Sequence, residues 1–220
     1  MTAPDPLLRA RGVARRFGAQ VALEPVDVDV HEGETIALIG PNGAGKSTLL
    51  SILAGSLEPS AGTVERVDGV GVGWVPQRPS LYDRLTAREN LELFARLEGA
   101  ENPRVSVDDL LSTFGLPADR AAASLSVGNR QRLNVALSLL GGPRVLLLDE
   151  PTASLDPGQR RRLWEIVNSL RADGGAICFA TQNVEEVGEH ADRVLVLQDG
   201  RVVYAGEPSG YAAAAAEVFG

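Results

Sequence analysis

The 220-residue chain has one cysteine, Cys178, set in an apolar run at 176–181. A disulfide framework is therefore excluded, and a reducing cytosol suits the composition. Long apolar runs are missing too. The strongest, 145–148 and 194–197, fall far short of the roughly 18 residues a membrane span needs. Residues 1–6 are short and polar, so neither a secretory leader nor a lipid-attachment motif is expected. Positive charge is in deficit: the net charge is −8, which disfavours a nucleic-acid partner. Internal repeats and low-complexity linkers are also absent. Lysine is nearly so. Of 21 basic residues, 20 are arginine, and the single lysine is Lys46.

What is present describes a globular protein. The chain is 44% hydrophobic and 23% charged, with mean hydropathy near zero. Its length gives ample core for independent folding. Apolar runs alternate with segments of helical period, which predicts βαβ units and a mainly parallel sheet. Strands are expected at 26–30, 35–39, 70–75, 145–148 and 176–181, and a hairpin at 194–204 turning on Asp199 and Gly200. Helices are expected at 47–54, ended by Gly55, and after Thr86, whose spacing to Glu89 is that of a capping box. Further helices are expected at 108–114, after the N-cap candidate Ser126, and from Asp156–Pro157 to about 172. Asn183 with Glu186 repeats the capping-box spacing for a short helix, and the alanine run at 212–216 reads as a terminal one. The division is thus a core at about 1–77 and 141–207, a helical subdomain at about 78–140, and a tail at 208–220.

One motif carries chemistry outright. Gly40, Pro41, Asn42, Gly43, Ala44, Gly45, Lys46 and Ser47 fit G-x-x-x-x-G-K-[ST], followed by Thr48, between an expected strand and an expected helix. Glycines let several backbone N–H groups turn inward toward phosphate oxygens. The helix behind them adds the positive end of its dipole. Lys46 can reach the β- and γ-phosphates, and the Ser47 hydroxyl can hold Mg²⁺. Arginine serves at every other basic position, so the one lysine falls where a compact ammonium suits a tight phosphate nest better than a planar guanidinium.

A second feature follows the apolar run 145–148. Asp149 and Glu150 sit where that strand ends, and in a parallel sheet ligands bind at that edge. Asp149 can hold Mg²⁺ through water, and Glu150 can orient or deprotonate an attacking water. Taken alone, the pair is an ordinary acidic loop; beside a phosphate nest it becomes a hydrolytic candidate.

With these motifs in this order, the chain resembles the nucleotide-binding subunits of ABC transporters over about 7–207. The resemblance implies a P-loop α/β fold of the ABC ATPase type, with an N-terminal antiparallel β part and a helical subdomain. It implies ATP and Mg²⁺ as ligands. It assigns Gln77, after Trp74, Val75 and Pro76, to the Mg²⁺ and the attacking water, and Phe17 to stacking on adenine. Ser154, Leu155 and Asp156 match the segment that crosses a dimer. Leu125, Ser126, Val127, Gly128 and Asn129 lie where the family has its signature loop facing a partner's γ-phosphate; Ser126 and Gly128 match it, and Asn129 is shorter than the usual glutamine. The partners implied are a second ATPase subunit, a homodimer being expected, and a separate transmembrane permease at the cytoplasmic face of the membrane. Residues 77–86 and the helix at 89–97 resemble those of bacterial exporters.

Two departures from the family pattern are larger. Val127 replaces a glycine, and a β-branched residue there implies an ordinary negative φ. Gln182 stands where the family has a γ-phosphate-sensing histidine; an amide donates a hydrogen bond but carries no proton. The histidines present, His31 and His190, read as exposed turn or helix-end residues. Arg160, Arg161 and Arg162 read as a solvated face, Trp164 as a packing residue and Cys178 as an inert thiol. Two alternatives stay open: an ABC ATPase acting outside transport, and a regulatory module that closes on ATP but hydrolyses it weakly.

Overall fold

A computed structural model of the protein describes residues 5–98 and 106–211. The expected helix at 212–216 lies outside the described residues.

Six strands form the central sheet. They are β3 (Thr35–Ile39), β5 (Val72–Val75), β6 (Val145–Asp149), β7 (Ala176–Thr181), β8 (Arg193–Gln198) and β9 (Arg201–Gly206), in the order β5-β6-β7-β3-β8-β9. The first five run parallel and β9 is antiparallel at the edge. The apolar runs arise because both faces of these strands are covered. Along β6, Leu146 and Leu148 face one core while Val145 and Leu147 face the other. Likewise Ile177 and Phe179 of β7 oppose Ala176, Cys178 and Ala180.

A three-stranded antiparallel sheet, β2-β1-β4, packs over one face; it comprises β1 (Leu8–Phe17), β2 (Gln20–Val30) and β4 (Ala61–Arg66). The expected strand at 26–30 is thus only the end of an 11-residue one. The strand expected at 70–75 begins at Val72. Helix α1 (Lys46–Ala54) lies between the two sheets and ends on Gly55 at φ 75°, as its sequence implied.

Helices α2 (Ala87–Leu97), α3 (Val107–Thr113) and α4 (Val127–Ser138) lie between β5 and β6 in the chain and pack on the other face. The Thr86 capping box is present in full: Glu89 N–H donates to Thr86 Oγ1 at 3.1 Å, and Thr86 N–H to Glu89 Oε2 at 2.7 Å. Leu133, Ala136, Leu137 and Leu140 are all buried, as their spacing predicts. Helix α5 (Pro157–Ala172) carries a second capping box, Asp156 with Gln159. Helix α6 (Val184–His190) departs from the sequence expectation. Asn183 does cap it, but by accepting from Glu185 N–H at 3.0 Å, and Glu186 is buried instead of closing a box. His190 ends α6 yet is not free in solvent: its ring stacks on Trp164 with centroids 4.0 Å apart. The β8–β9 turn at Asp199 and Gly200 has φ 48° and 79°, the backbone of a tight two-residue hairpin.

The order of the parallel strands brings the carboxyl ends of β5, β6, β7 and β3 side by side. Every chemistry-bearing segment except Phe17, the loop before α4 and the start of α5 leaves the sheet at that edge.

Candidate functional site

The loop from Gly40 to Gly45 wraps the N-terminus of α1. Gly40 has φ 156°, and a Cβ there would overlap the Leu197 carbonyl. Gly45 has φ 104°, and its Cβ would stand 2.8 Å from the Ala22 carbonyl oxygen. Only glycine meets both demands. Lys46 is buried, and its ammonium donates to the carbonyls of Gly40 at 2.7 Å and Pro41 at 3.0 Å. Burial lowers the Lys46 pKa, against the pull of Glu150 and Asp149. Ser47 is exposed at the mouth of this nest.

Asp149 closes β6 and is 3% exposed. Burial and the charge of Glu150 raise its pKa, opposed by the nearby Ser47 hydroxyl and the charge of Lys46. Its Oδ1 has no hydrogen-bond partner. A buried, unpartnered carboxylate oxygen beside a hydroxyl suits a hard cation that prefers oxygen ligands. The residues therefore fit Mg²⁺.

Glu150 sits just beyond, in the left-handed region at φ 49°, which is uncommon for a non-glycine residue. Each of its carboxylate oxygens accepts from a different glutamine. Gln77 Nε2, from the end of β5, donates to Oε2 at 2.9 Å, and Gln182 Nε2, from the end of β7, donates to Oε1 at 2.7 Å. Gln182 Nε2 also reaches Asn42 Oδ1 at 3.0 Å. Gln77, Glu150, Gln182 and Asn42 are thus joined by direct hydrogen bonds, and the amide expected to face phosphate is engaged with Glu150 and the loop. Asn134 of α4 holds this edge from behind, its Nδ2 donating to the Pro76 carbonyl at 3.1 Å.

The other candidates form a separate group. Ser126 caps α4 by accepting from Asn129 N–H at 3.2 Å, which leaves its own hydroxyl hydrogen available. Val127, the first residue of α4, is 64% exposed with an ordinary φ, as its branching required. Gly128 is buried against Gln159, where a Cβ would stand 2.7 Å from Oε1. Gln159 in turn shares the capping box with Asp156. Gly128 and Asp156 are therefore linked through Gln159, with Ser126 two residues before Gly128. Among the described residues no hydrogen bond joins them to the Lys46–Glu150 group.

Phe17 ends β1 and is 49% exposed as a residue, and the Arg15 guanidinium lies over its ring at 4.6 Å from the centroid. Cys178 is buried and its pKa pushed up to about 12, which makes it inert at neutral pH. Sequence reasoning missed Asn134 and the roles of Thr152, Thr181 and Glu186. It also missed Asn90, fully buried, whose amide donates to the carbonyls of Tyr82, Leu85 and Thr86 at 2.9–3.2 Å. Asn134 and Thr152 bond partners that only tertiary packing brings near, whereas Asn90 closes on carbonyls four to eight residues before it.

A glycine-rich nest between a buried strand and a helix N-terminus, with carboxylates and amides at the neighbouring strand ends, defines a P-loop nucleotide-binding α/β protein. Comparison narrows this. The sequence profile of the family described as ABC transporter matches residues 23–153. Daunorubicin resistance ATP-binding protein DrrA3 of Streptomyces coeruleorubidus is 39% identical, over 92% of this chain and 68% of its own length. Nod factor export ATP-binding protein I of Ralstonia nicotianae is 38% identical over 92% of this chain and 68% of its own. The probable multidrug ABC transporter ATP-binding protein YbhF of Escherichia coli is 37% identical over 93% of this chain, which spans only 38% of that relative. A bacterial ABC transporter cassette solved as a dimer superposes with TM-score 0.81 at 26% identity, covering 92% of this chain and 99% of that one. The same cassette is known in a post-hydrolysis state with ADP and Pi. The chain belongs to the ABC transporter family, among its ATP-binding, ATP-hydrolysing subunits.

Proposed function

We propose that the chain is the motor subunit of an exporter, closing as a head-to-tail dimer on ATP and driving a separate membrane-spanning permease. The observation that carries the hydrolytic part is the bracketing of Glu150 by Gln77 and Gln182 at the strand edge beside the phosphate nest. In this reading the Gly40–Gly45 amides and Lys46 receive the phosphates, with the Lys46 ammonium turning from two loop carbonyls to phosphate oxygens. Ser47, Asp149 and Gln77 would hold Mg²⁺, which neutralises developing phosphate charge when bound. Glu150 orients and deprotonates the attacking water. Gln182 exchanges its Asn42 contact for the γ-phosphate and donates a neutral hydrogen bond. Phe17 stacks on adenine with its open face. Thr48 supports the nest from the first turn of α1.

The separation of Ser126, Gly128 and Asp156 from the Lys46 group supports their service to an ATP held by a partner subunit, as a homodimer provides. Among the described residues no helix is long and apolar enough to cross a membrane, which fits a subunit held at the cytoplasmic face by its permease. Location of α2–α4 between β5 and β6 supports the division into a core at about 1–77 and 141–207 and a helical subdomain at about 78–140. Export rests on the names of the relatives. A weakly hydrolysing regulatory module is the second reading, favoured by the one observation that Gln182 replaces a proton-bearing imidazole with an amide.

Phosphate release by the wild-type chain with Mg-ATP, measured alone and with a co-expressed candidate permease protein, tests the proposal. Turnover stimulated by that protein is the expected result. ATP binding with no turnover in either condition supports the regulatory reading instead.

A further inference from the structure

Glu186 is a carboxylate only 4% exposed, on a short helix outside the phosphate nest. Burying a charge is unfavourable unless hydrogen bonds compensate it, and a hydrocarbon side chain could anchor α6 without that demand. Both oxygens of Glu186 are engaged. Thr152 Oγ1 donates to Oε1, and Thr181 Oγ1 donates to Oε2 at 2.7 Å. Thr181 Oγ1 also accepts from Asn183 N–H at 3.0 Å, so its own hydrogen is committed to Glu186. Thr152 stands in the loop after β6, and Thr181 is the last residue of β7. Thr152 is two residues after Glu150, and Thr181 immediately precedes Gln182.

We propose that Glu186 is a positioning residue for hydrolysis: by tying Thr152 to Thr181 it fixes the loop after β6 against the carboxyl end of β7, and so sets the contact between Glu150 and Gln182. The inference rests on the reading of Glu150 as the hydrolytic residue. Its physical basis is the left-handed backbone of Glu150, which needs support from its surroundings to persist. One such support is the Glu150 N–H donating to the Ala180 carbonyl at 3.0 Å; the threonine–carboxylate clamp is another, one turn of chain further on. A carboxylate suits the task because it accepts both hydroxyl hydrogens at once. A glutamine accepts only one and turns an NH₂ toward the other threonine.

The test uses the full chain and three variants: Glu186→Gln, Thr152→Val and their combination. Thr152→Val conserves volume and removes only the hydroxyl, so it remains informative if Glu186→Gln folds poorly. Turnover number and Michaelis constant for Mg-ATP are measured with the melting temperature, and binding of a fluorescent trinitrophenyl ATP is followed separately. Each single change is expected to lower turnover at least tenfold, with the Michaelis constant and probe affinity within twofold of wild type. The double variant should fall no further than the worse single, because one clamp is broken in either case. Turnover within twofold of wild type in Thr152→Val overturns the inference, as does a loss of turnover matched by loss of probe binding. Glu150→Gln serves as the control. If it hydrolyses normally, the reading beneath the inference fails; if it is inactive while Thr152→Val is normal, the inference alone fails.

Discussion

Replacing Glu150 with glutamine isolates proton chemistry from hydrogen bonding. The carboxylate accepts from Gln77 at 2.9 Å and from Gln182 at 2.7 Å, one oxygen each. A carbamoyl group keeps one acceptor and presents an NH₂ to the other glutamine, so one of the two contacts is lost. The larger effect is loss of a group that can take a proton from water. General-base catalysis contributes typically about 10²–10⁴ in rate, which corresponds to roughly 2.7–5.4 kcal/mol of barrier. Nucleotide binding moves the other way. Glu150 places negative charge near Lys46, and removing it lowers the repulsion felt by incoming phosphates. Glu150→Gln is therefore expected to bind ATP at least as tightly as wild type while turnover falls at least a hundredfold, and to accumulate as an ATP-bound dimer on size exclusion. Glu150→Asp keeps the charge but withdraws it by about one C–C bond, roughly 1.5 Å; it should be nearly as slow. Turnover of Glu150→Gln within threefold of wild type refutes the reasoning. So does a parallel loss of turnover and melting temperature, which would make Glu150 merely the acceptor that holds two glutamines.

Phe17→Ala should raise the Michaelis constant for ATP about 2- to 12-fold with turnover unchanged, since stacking of about 0.5–1.5 kcal/mol is lost equally from ground and transition states. Unaltered nucleotide affinity removes Phe17 from the site. Gln182→Ala should lower turnover at saturating ATP, whereas Gln182→His should keep or raise it and add a pH dependence near neutrality that the amide lacks. Wild-type turnover in Gln182→Ala, with Asn183→Ala inactive, shifts the contact one residue along. Burial raises the pKa of Asp149, so the folded protein binds more protons than the unfolded chain between the ordinary and the raised value. The stability tied to its protonated form is full below the ordinary carboxylate range and is lost as pH rises through the raised value. Asp149→Asn should then melt higher than wild type without nucleotide at pH 7.5, with the gain vanishing as pH falls toward the acid range and reversed by Mg-ATP; a difference independent of pH refutes the assignment.

The parallel core is legible because its strands are buried on both faces, so residues 145–148, 176–181 and 194–197 appear as continuous apolar runs. Helix starts are legible where a polar side chain must close the first turn, as at Thr86, Ser126 and Asp156. The antiparallel sheet is harder. Register shifts between Ala10 and Val13, and again between Val13 and Arg15, break the two-residue alternation of β1. Residues 26–30 keep it and alone stand out. The Asn183–Glu186 spacing misleads for a clear reason. The Asn183 side chain takes the Glu185 N–H, and Glu186, released from capping, turns inward to two threonines that lie 34 and 5 residues away in sequence. Capping-box spacing shows that a reciprocal bond is possible; it does not show which partner wins.

The same distinction governs the phosphate site. The nest is local, eight consecutive residues whose glycines, lysine and hydroxyl declare their purpose in one window. The Gln77–Glu150–Gln182 arrangement is not, because its members are 73 and 32 residues apart and meet only through the strand order β5-β6-β7. The two departures from the family pattern become interpretable only at that level. Val127 stands exposed at the first position of α4, so the branched side chain meets no packing conflict and leaves the Ser126 hydroxyl hydrogen free. Gln182 keeps a donor where the imidazole would stand and gives up its proton. Both substitutions conserve hydrogen-bond donors. Donors to phosphate act in the ground state as well as in the transition state, whereas proton acceptance acts only in the second. The expected consequence of the Gln182 departure therefore falls on the turnover number, with ATP affinity left close to that of a site carrying histidine.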